Sequence, residues 1–408
     1  MKTNKVEANA IIVINALRNV IELFLGPFLT AYFIQASQES LVSLSIYKIF
    51  SYIILLFFSI LVSSFIERRF RIGMFRIGVI LNFFYILTII ILKEKIVDYL
   101  WLIAILNGVS ATSYWMPYNL FNVTKIANGD RTKFNIKSRI VSYAIGIIGP
   151  IFLGSLITVT NYIFSAIVIL IISFVQILFT FLLKPDLYDK DDDFNPIKAY
   201  KKFKTNKQTL RSFNSQFLVG MTVNNSALEL LLVVLVYSTF KSDFNLGVLS
   251  SISTILSIIT MKLYEKIYSK RSDKKLILFI GSIPILLVAI MAFFKNNIAL
   301  VICYILYMVL VELLKLTQTV RTDNVANSYI VKKTEQCEYN EIREIYLDLG
   351  RIVSFAILLF VVNGGTDTIL NVLMVLFSVL IGALGINIVR IKKFESDEMI
   401  EDDKDTIE

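Results

Sequence analysis

The chain has 408 residues, of which 56% are hydrophobic, with a formal net charge of +9 and no histidine. Its mean hydropathy of +0.69 comes from too little charge and too many apolar runs for a soluble domain of this length. The missing histidine excludes a histidine proton relay or metal ligand. Cys303 and Cys337 stand in no metal-binding or redox spacing, and there is no phosphate-binding G-x-x-x-x-G-K-[ST] loop to drive an ATP-powered pump.

Runs such as "IYKIFSYIILLFFSILVSSF" and "YIFSAIVILIISFVQILFTFLL" reach the ~20 residues that cross a bilayer as helix. Twelve helices are predicted, near 8–34, 41–65, 73–92, 97–123, 138–160, 162–184, 212–238, 245–264, 275–294, 298–320, 343–363 and 368–389. The first run is already a full span, so no cleavable signal is expected. The expected class is an all-α integral membrane protein with twelve transmembrane helices in two pseudo-symmetric six-helix bundles. Its parts are bundles over 1–184 and 210–390, a cytoplasmic linker over 185–209 and an acidic cytoplasmic tail over 391–408. Basic residues crowd into alternate loops: Arg68, Arg69 and Arg71 after span two, Arg131, Lys133 and Lys137 after span four, and the Lys198–Lys207 cluster after span six. That asymmetry places both termini inside. The net charge is then a topology signal with some attraction to anionic lipid, and it calls for no nucleic acid.

Span one carries Asn15, Arg18, Asn19 and Glu22 at i, i+3, i+4 and i+7, a polar stripe on one helix face. A charge at mid-bilayer costs about 2.5–3.5 kcal/mol on insertion scales, so the stripe is expected to face the bundle interior. Glu22 either pairs with Arg18 or serves as a coupling acid. Lys48 in span two either partners Glu22 or snorkels outward. Span four offers Asn107, Ser110, Tyr114, Trp115, Tyr118 and Asn119. Span five contains "GIIGPIFLG", where Gly149, Pro150 and Gly154 serve close helix approach and a kink, or ordinary packing. Ile197 to Lys207 alternates apolar and basic positions and is expected to lie on the inner membrane surface. Span seven repeats the first stripe as Thr222, Asn225, Ser226 and Glu229. Asn225 replaces the arginine, so Glu229 lacks a base on its own face and becomes the first candidate to bind and release a proton. The other reading is a hydrogen bond to a neighbouring helix. In span ten, Glu312 and Lys315 share a face with Thr319; they pair with each other, or Glu312 sits beside Glu229. Arg139 and Arg351 are expected to open spans five and eleven at the cytoplasmic side, Arg351 in a charge network with Glu344 and Asp348.

"RIVSYA" at Arg139–Ala144 returns as "RIVSFA" at Arg351–Ala356, and "FIERRFRIGMFRIG" is echoed by "LYEKIYSKRSDKKLILFIG". With the matched stripes, these argue for a duplicated six-helix unit, common in secondary transporters with sites between the repeats. Twelve spans split six and six, a basic middle loop and acid-basic loops after spans two and eight resemble the major facilitator superfamily over nearly the whole chain. Its loop motif G-x-x-x-D-R-x-G-R-R is met here by Ser63, Glu67, Arg68, Phe70, Arg71 and Ile72, with both glycines lost and the acid kept as Glu. The resemblance implies a conformational latch at Glu67, Arg68 and Arg71, with Glu265 in the equivalent loop. "GIIGPIFLG" resembles the G-x-x-x-G-P-x-x-G-G motif of exporting, antiport-type members, with Ile145 and Leu153 replacing two glycines. The resemblance also implies that the first helix of each half lines a central cavity.

The expected function is therefore secondary active transport by alternating access, as proton-coupled export of a small amphipathic or drug-like molecule. The alternatives are a proton-coupled importer of a sugar, nucleoside or peptide, and a non-transporting sensor or assembly protein. No enzyme activity, cofactor or metal is expected. The expected partners are a small-molecule substrate, protons and the lipid bilayer, for a monomer in a bacterial plasma membrane.

Overall fold

The computed structural model describes residues 4–36, 40–65, 70–126, 131–184, 196–268, 274–294, 296–330, 333–362 and 367–392. Long apolar runs fold as helices because a helix satisfies its own backbone hydrogen bonds where no water is available. Among the described residues, eleven apolar stretches are long enough to cross a membrane, and Arg71–Asn119, at 49 residues, holds two spans, α4 and α5. The first half comprises α1 (Lys5–Leu23), α2 (Leu29–Ala36), α3 (Leu41–Phe65), α4 (Arg71–Leu92), α5 (Leu100–Thr124), α6 (Arg131–Val159) and α7 (Tyr162–Thr180). A short helix, α8 (Pro196–Phe203), precedes the second half: α9 (Lys207–Thr222), α10 (Ala227–Phe240), α11 (Asp243–Tyr268), α12 (Lys274–Phe293), α13 (Asn297–Tyr329), α14 (Lys333–Val362) and α15 (Asp367–Arg390).

Two of the predicted spans are interrupted. Span one passes from α1 to α2 through a widened π-helical turn, Phe24–Phe28, which contains Pro27; proline lacks the N–H that the regular ladder needs. Span seven is two helices. α9 ends at Thr222, Asn225 adopts φ 51°, and α10 restarts with Ser226 as its N-cap. Asn tolerates that left-handed conformation better than most residues.

Within the first half α4 packs on α5 and α7, α3 on α5, and α1 on α6 and α7; within the second, α9 packs on α14 and α15, and α12 on α13 and α15. The halves meet where α6 runs along α11, α3 along α14 and α2 against α10. Glycines let these helices touch. A Cβ on Gly154 would come within 2.6 Å of the Asp243 carbonyl oxygen, and one on Gly247 within 2.3 Å of the Pro150 carbonyl oxygen. A Cβ on Gly149 would meet the Leu23 side chain at 2.6 Å. The span-five residues thus serve close approach to α11 and α1. Inside the second half the backbones of α9 and α14 are tighter still: a Cβ on Gly220 would lie 2.0 Å from the Leu347 carbonyl oxygen, and one on Gly350 2.1 Å from that of Phe217.

Basic side chains close the helix ends nearest the termini, where terminal carbonyls lack intrahelical partners. Arg76 Nη2 donates to the Leu183 carbonyl at 2.9 Å. Lys125 pairs with Glu7 at 3.1 Å. Arg321 donates to the carbonyls of Ile388, at 3.0 Å, and Ile391.

The linker helix departs in part from expectation. α8 forms, and part of its apolar face is taken up by protein: Ala199 and Phe203 are buried in one apolar cluster with Phe213, Val325, Tyr339 and Ile342, while Ile197 stays exposed. Lys202 Nζ pairs with Glu335 at 2.8 Å. Four helix ends of the second half supply the apolar surface that receives Ala199 and Phe203.

Overpacking a close helix crossing costs about 1–3 kcal/mol. Gly220→Ala and Gly350→Ala should each lower the melting temperature of the purified protein, whereas Gly26→Ala, with nothing within 4 Å of the added carbon, should not. Equal melting of all three proteins would contradict the tight α9–α14 crossing.

Candidate functional site

A cavity of about 490 Å³ lies between the halves. Its lining runs from Leu25, Gly26, Tyr47 and Lys48 through Tyr52, Trp115 and Arg351 to Ser59, Asn119 and Asn340. It extends from the middle of the helices toward the end that carries the termini. At the opposite end the halves touch: Gln35 Nε2 donates to the Tyr237 hydroxyl.

On the first-half wall, Arg18 Nε donates to Glu22 Oε1 at 3.0 Å, and Trp115 Nε1 donates to the same oxygen at 3.1 Å. Arg18 is buried and its guanidinium lies 4.7 Å over the Tyr114 ring. Glu22 keeps 38% of its side chain exposed, and its Oε2 makes no hydrogen bond among the described residues. The predicted stripe splits. Arg18 and Glu22 line the cavity, Asn19 turns to α6 and donates to Ser142 Oγ at 2.9 Å, and Asn15 is buried beneath. Tyr114 is fully buried and supports Arg18, while Trp115 reaches the cavity.

On the second-half wall the central group is Arg351. Its Nη1 donates to Asp348 Oδ1 at 2.8 Å, its Nε to the Asn224 carbonyl at 3.0 Å and its Nη2 to Asn224 Oδ1 at 2.8 Å. The guanidinium also lies 5.2 Å over the Tyr52 ring of α3, and the Tyr52 hydroxyl donates to the Asn225 carbonyl at 3.2 Å. Arg351 thus binds the carbonyl that the break in span seven leaves open and reaches across to the other half. The sequence placed Arg351 at the opening of span eleven. It sits well inside α14, because that helix starts at Lys333 rather than near 343.

Glu229 is not left without a partner on its own segment. Ser226 Oγ accepts from the Glu229 N–H at 3.3 Å, and Glu229 Oε2 accepts from the Asn225 N–H at 2.7 Å. This arrangement is a variant of the capping box for α10, in which the Glu229 carboxylate reaches the N–H of Asn225, one residue before the N-cap Ser226. The break also interrupts the helical spacing that made Thr222, Asn225, Ser226 and Glu229 a stripe. Asn225 lines the cavity; Glu229 is outside its lining, within electrostatic reach of Lys48 and Lys315. Glu312 and Lys315 pair with each other at 2.8 Å. Lys48 neither meets Glu22 nor snorkels outward: it lines the cavity with its Nζ 5.8 Å from the Tyr47 ring centroid. Of the latch residues, Glu67 and Arg68 lie outside the described residues, Arg71 is buried in the first turn of α4 and Glu265 falls in α11.

Tyr52 and Asn224 escaped the sequence reading. The signals for them were the "NNS" turn before Glu229 and the second copy of the Arg-Ile-Val-Ser hexamer.

Two packed sets of membrane-crossing helices around a central cavity closed at one end define a transporter fold. The Major Facilitator Superfamily model matches residues 11–321, and the chain belongs to that family. A relative, the uncharacterized protein YqgE of Bacillus subtilis (strain 168), is 24% identical over 297 residues, covering 72% of this chain and 68% of its own. Among solved structures, a variant of the nucleoside transporter NupG superposes with a TM-score of 0.71 at 15% identity, covering 95% of this chain and 100% of its own. A bacterial homologue of the iron transporter ferroportin, in its inward-facing state, gives 0.66 at 13% identity, covering 94% and 98%. These superpositions establish the fold.

Removing one partner of a buried ion pair typically costs 3–5 kcal/mol, and Asp348 is 1% exposed. Arg351→Ala should therefore destabilise the protein severely, and Arg351→Ala with Asp348→Asn less so. A thermal or denaturant double-mutant cycle checks this; additive losses would mean that the two do not pair.

Proposed function

We propose that the chain is a secondary active transporter that works by alternating access and exports a small amphipathic molecule in exchange for protons. It sits in a bacterial plasma membrane as a monomer with both termini in the cytoplasm. With that orientation the conformation described here is inward-open. The observation that carries the reading is the cavity itself, which is closed at one end and has an ion pair from each half set into its wall. Trp115, Tyr47 and Tyr52 give it aromatic surface, Leu25, Leu55 and Met116 apolar surface, and Asn107, Asn119 and Asn225 hydrogen-bonding groups. This mixture suits an amphipathic solute.

Coupling is assigned first to Glu22 and second to Glu229, the reverse of the order expected from sequence. Glu22 lines the cavity and its Oε2 makes no hydrogen bond among the described residues, so protonation there competes with the contacts at Oε1. A proton on Glu22 would loosen Arg18, and a substrate group reaching either residue would compete with it. Glu229 is occupied with capping α10 and lies off the lining. The export direction is supported by Gly149, Pro150 and Gly154, which pack α6 against α1 and α11 as the motif of exporting family members implies. A latch at Glu67, Arg68, Arg71 and Glu265 remains part of the proposal.

In proteoliposomes under an imposed pH gradient, the wild-type protein should move its solute against that solute's own gradient. Glu22→Gln should lose this gradient-driven flux and keep solute counterflow. Loss of both activities together would make Glu22 a substrate-binding or structural group instead. Accumulation of the solute inside expressing cells would overturn export in favour of uptake, and absence of flux for every solute class would overturn transport.

A further inference from the structure

Three bases line the cavity: Arg18, Lys48 and Arg351. Two of them are matched within their own half, Arg18 by Glu22 and Arg351 by Asp348. Lys48 makes no hydrogen bond and no ion pair among the described residues, and its close neighbour is the Tyr47 ring. The opposite charge facing it is Glu229, from α10 across the interface between the halves. Glu229 is already committed to the Asn225 N–H and lies near Lys315 as well. Arg351, within electrostatic reach of Lys48, adds positive charge to the same corner. An ammonium group inside a membrane protein is costly unless something offsets it; the lining also carries the carboxylates of Glu22, Glu341, Glu344 and Asp348, but among the described residues none of them forms an ion pair with Lys48.

We propose that Lys48 anchors an anionic group of the transported molecule, a carboxylate or a group of the same charge and size. The inference rests on the transporter reading and narrows its substrate class to amphipathic anions. The corner is shaped for such a ligand. The Lys48 ammonium offers three donors, and the Asn225 side chain lies on the same lining. Tyr47, Tyr52, Leu55 and Met116 give the organic part of the molecule a surface to cover. Binding an anion here also has a mechanical meaning. Lys48 belongs to the first half and faces Glu229 of the second, so a bound anion competes with Glu229 for Lys48 and changes the attraction between the halves.

The test is the thermal stability of the purified full-length protein with matched acids and amides: benzoate against benzamide, and 1-naphthoate against 1-naphthamide. Labelled 1-naphthoate in equilibrium dialysis gives a second readout. The acids should raise the melting temperature of the wild type and of Lys48→Arg, and the neutral amides should not. Lys48→Met should lose the response to the acids. Should Lys48→Met not fold, the acid-against-amide comparison in the wild type and Lys48→Arg still decides. Equal stabilisation by acid and amide, an acid response that survives in Lys48→Met, or no binding of either acid would each overturn the proposal. Its failure is distinct from failure of transport: flux without charge preference sinks the Lys48 anchor alone, and absence of flux for every solute class sinks the transporter reading.

Discussion

The arrangement around the cavity depends on one side chain. Arg351 gives two hydrogen bonds to Asn224, one to Asp348 and a face to Tyr52. A break in a membrane helix leaves backbone carbonyls without partners, and in a medium without water each costs several kcal/mol. Arg351 meets the Asn224 carbonyl directly, and the capping box of Ser226 and Glu229 satisfies donors on the other side of the break. The tight glycine crossing of α9 and α14 brings the two within reach: Gly220 is one turn from Asn224, and Gly350 adjoins Arg351. Sequence, backbone contact and polar network are one construction.

The two halves use their equivalent helices differently. Span one softens at Gly26–Pro27 but stays helical, with Arg18 and Glu22 one turn apart on the cavity wall. Span seven breaks, and the residues that would continue the stripe become turn and cap. The two halves therefore differ where they meet the cavity. One half carries an ion pair within a single helix there, and the other carries a pair on α14 that props open a break in α9 and α10.

Much of the fold was legible because lipid leaves the chain few options. Apolar runs of membrane length pointed to twelve crossings, and the two hexamers of the expected repeat fall in α6 and α14. Arg18 with Glu22 and Glu312 with Lys315 were legible too, since i, i+4 and i, i+3 spacing makes such pairs local. Three features were hidden. Helical periodicity cannot register an interruption, so Asn225 and Glu229 read as a stripe although "SALE" also fits a capping box. Helix starts outside the apolar run are invisible to hydropathy, so Arg351 seemed to lie at a membrane edge. The apolar face of α8 could have met lipid or protein, and only the ends of α9, α13, α14 and α15 in three dimensions decide for protein at Ala199 and Phe203. Lys48 was conspicuous in sequence, but its surroundings come from α10 and α14, nearly two hundred residues and more away.

The ion pairs described above each join two residues of one half. Among the described residues, what passes between the halves includes, besides the Arg351 guanidinium on the Tyr52 ring, neutral contacts: the Tyr52 hydroxyl on a carbonyl, the Gln35 amide on Tyr237, the Tyr143 hydroxyl 3.5 Å from Met261 Sδ and a ring contact of Tyr52 with Phe355. Neutral contacts of this sort contribute about 0.5–1.5 kcal/mol each, whereas separating a buried ion pair costs several times more. The halves can therefore part and re-form at either end without breaking any of these ion pairs, and the opposite charges that face one another across the seam, Lys48 and Glu229, form no direct ion pair among the described residues. The seam is lightly fastened, and the strong electrostatic bonds travel with the bodies that move.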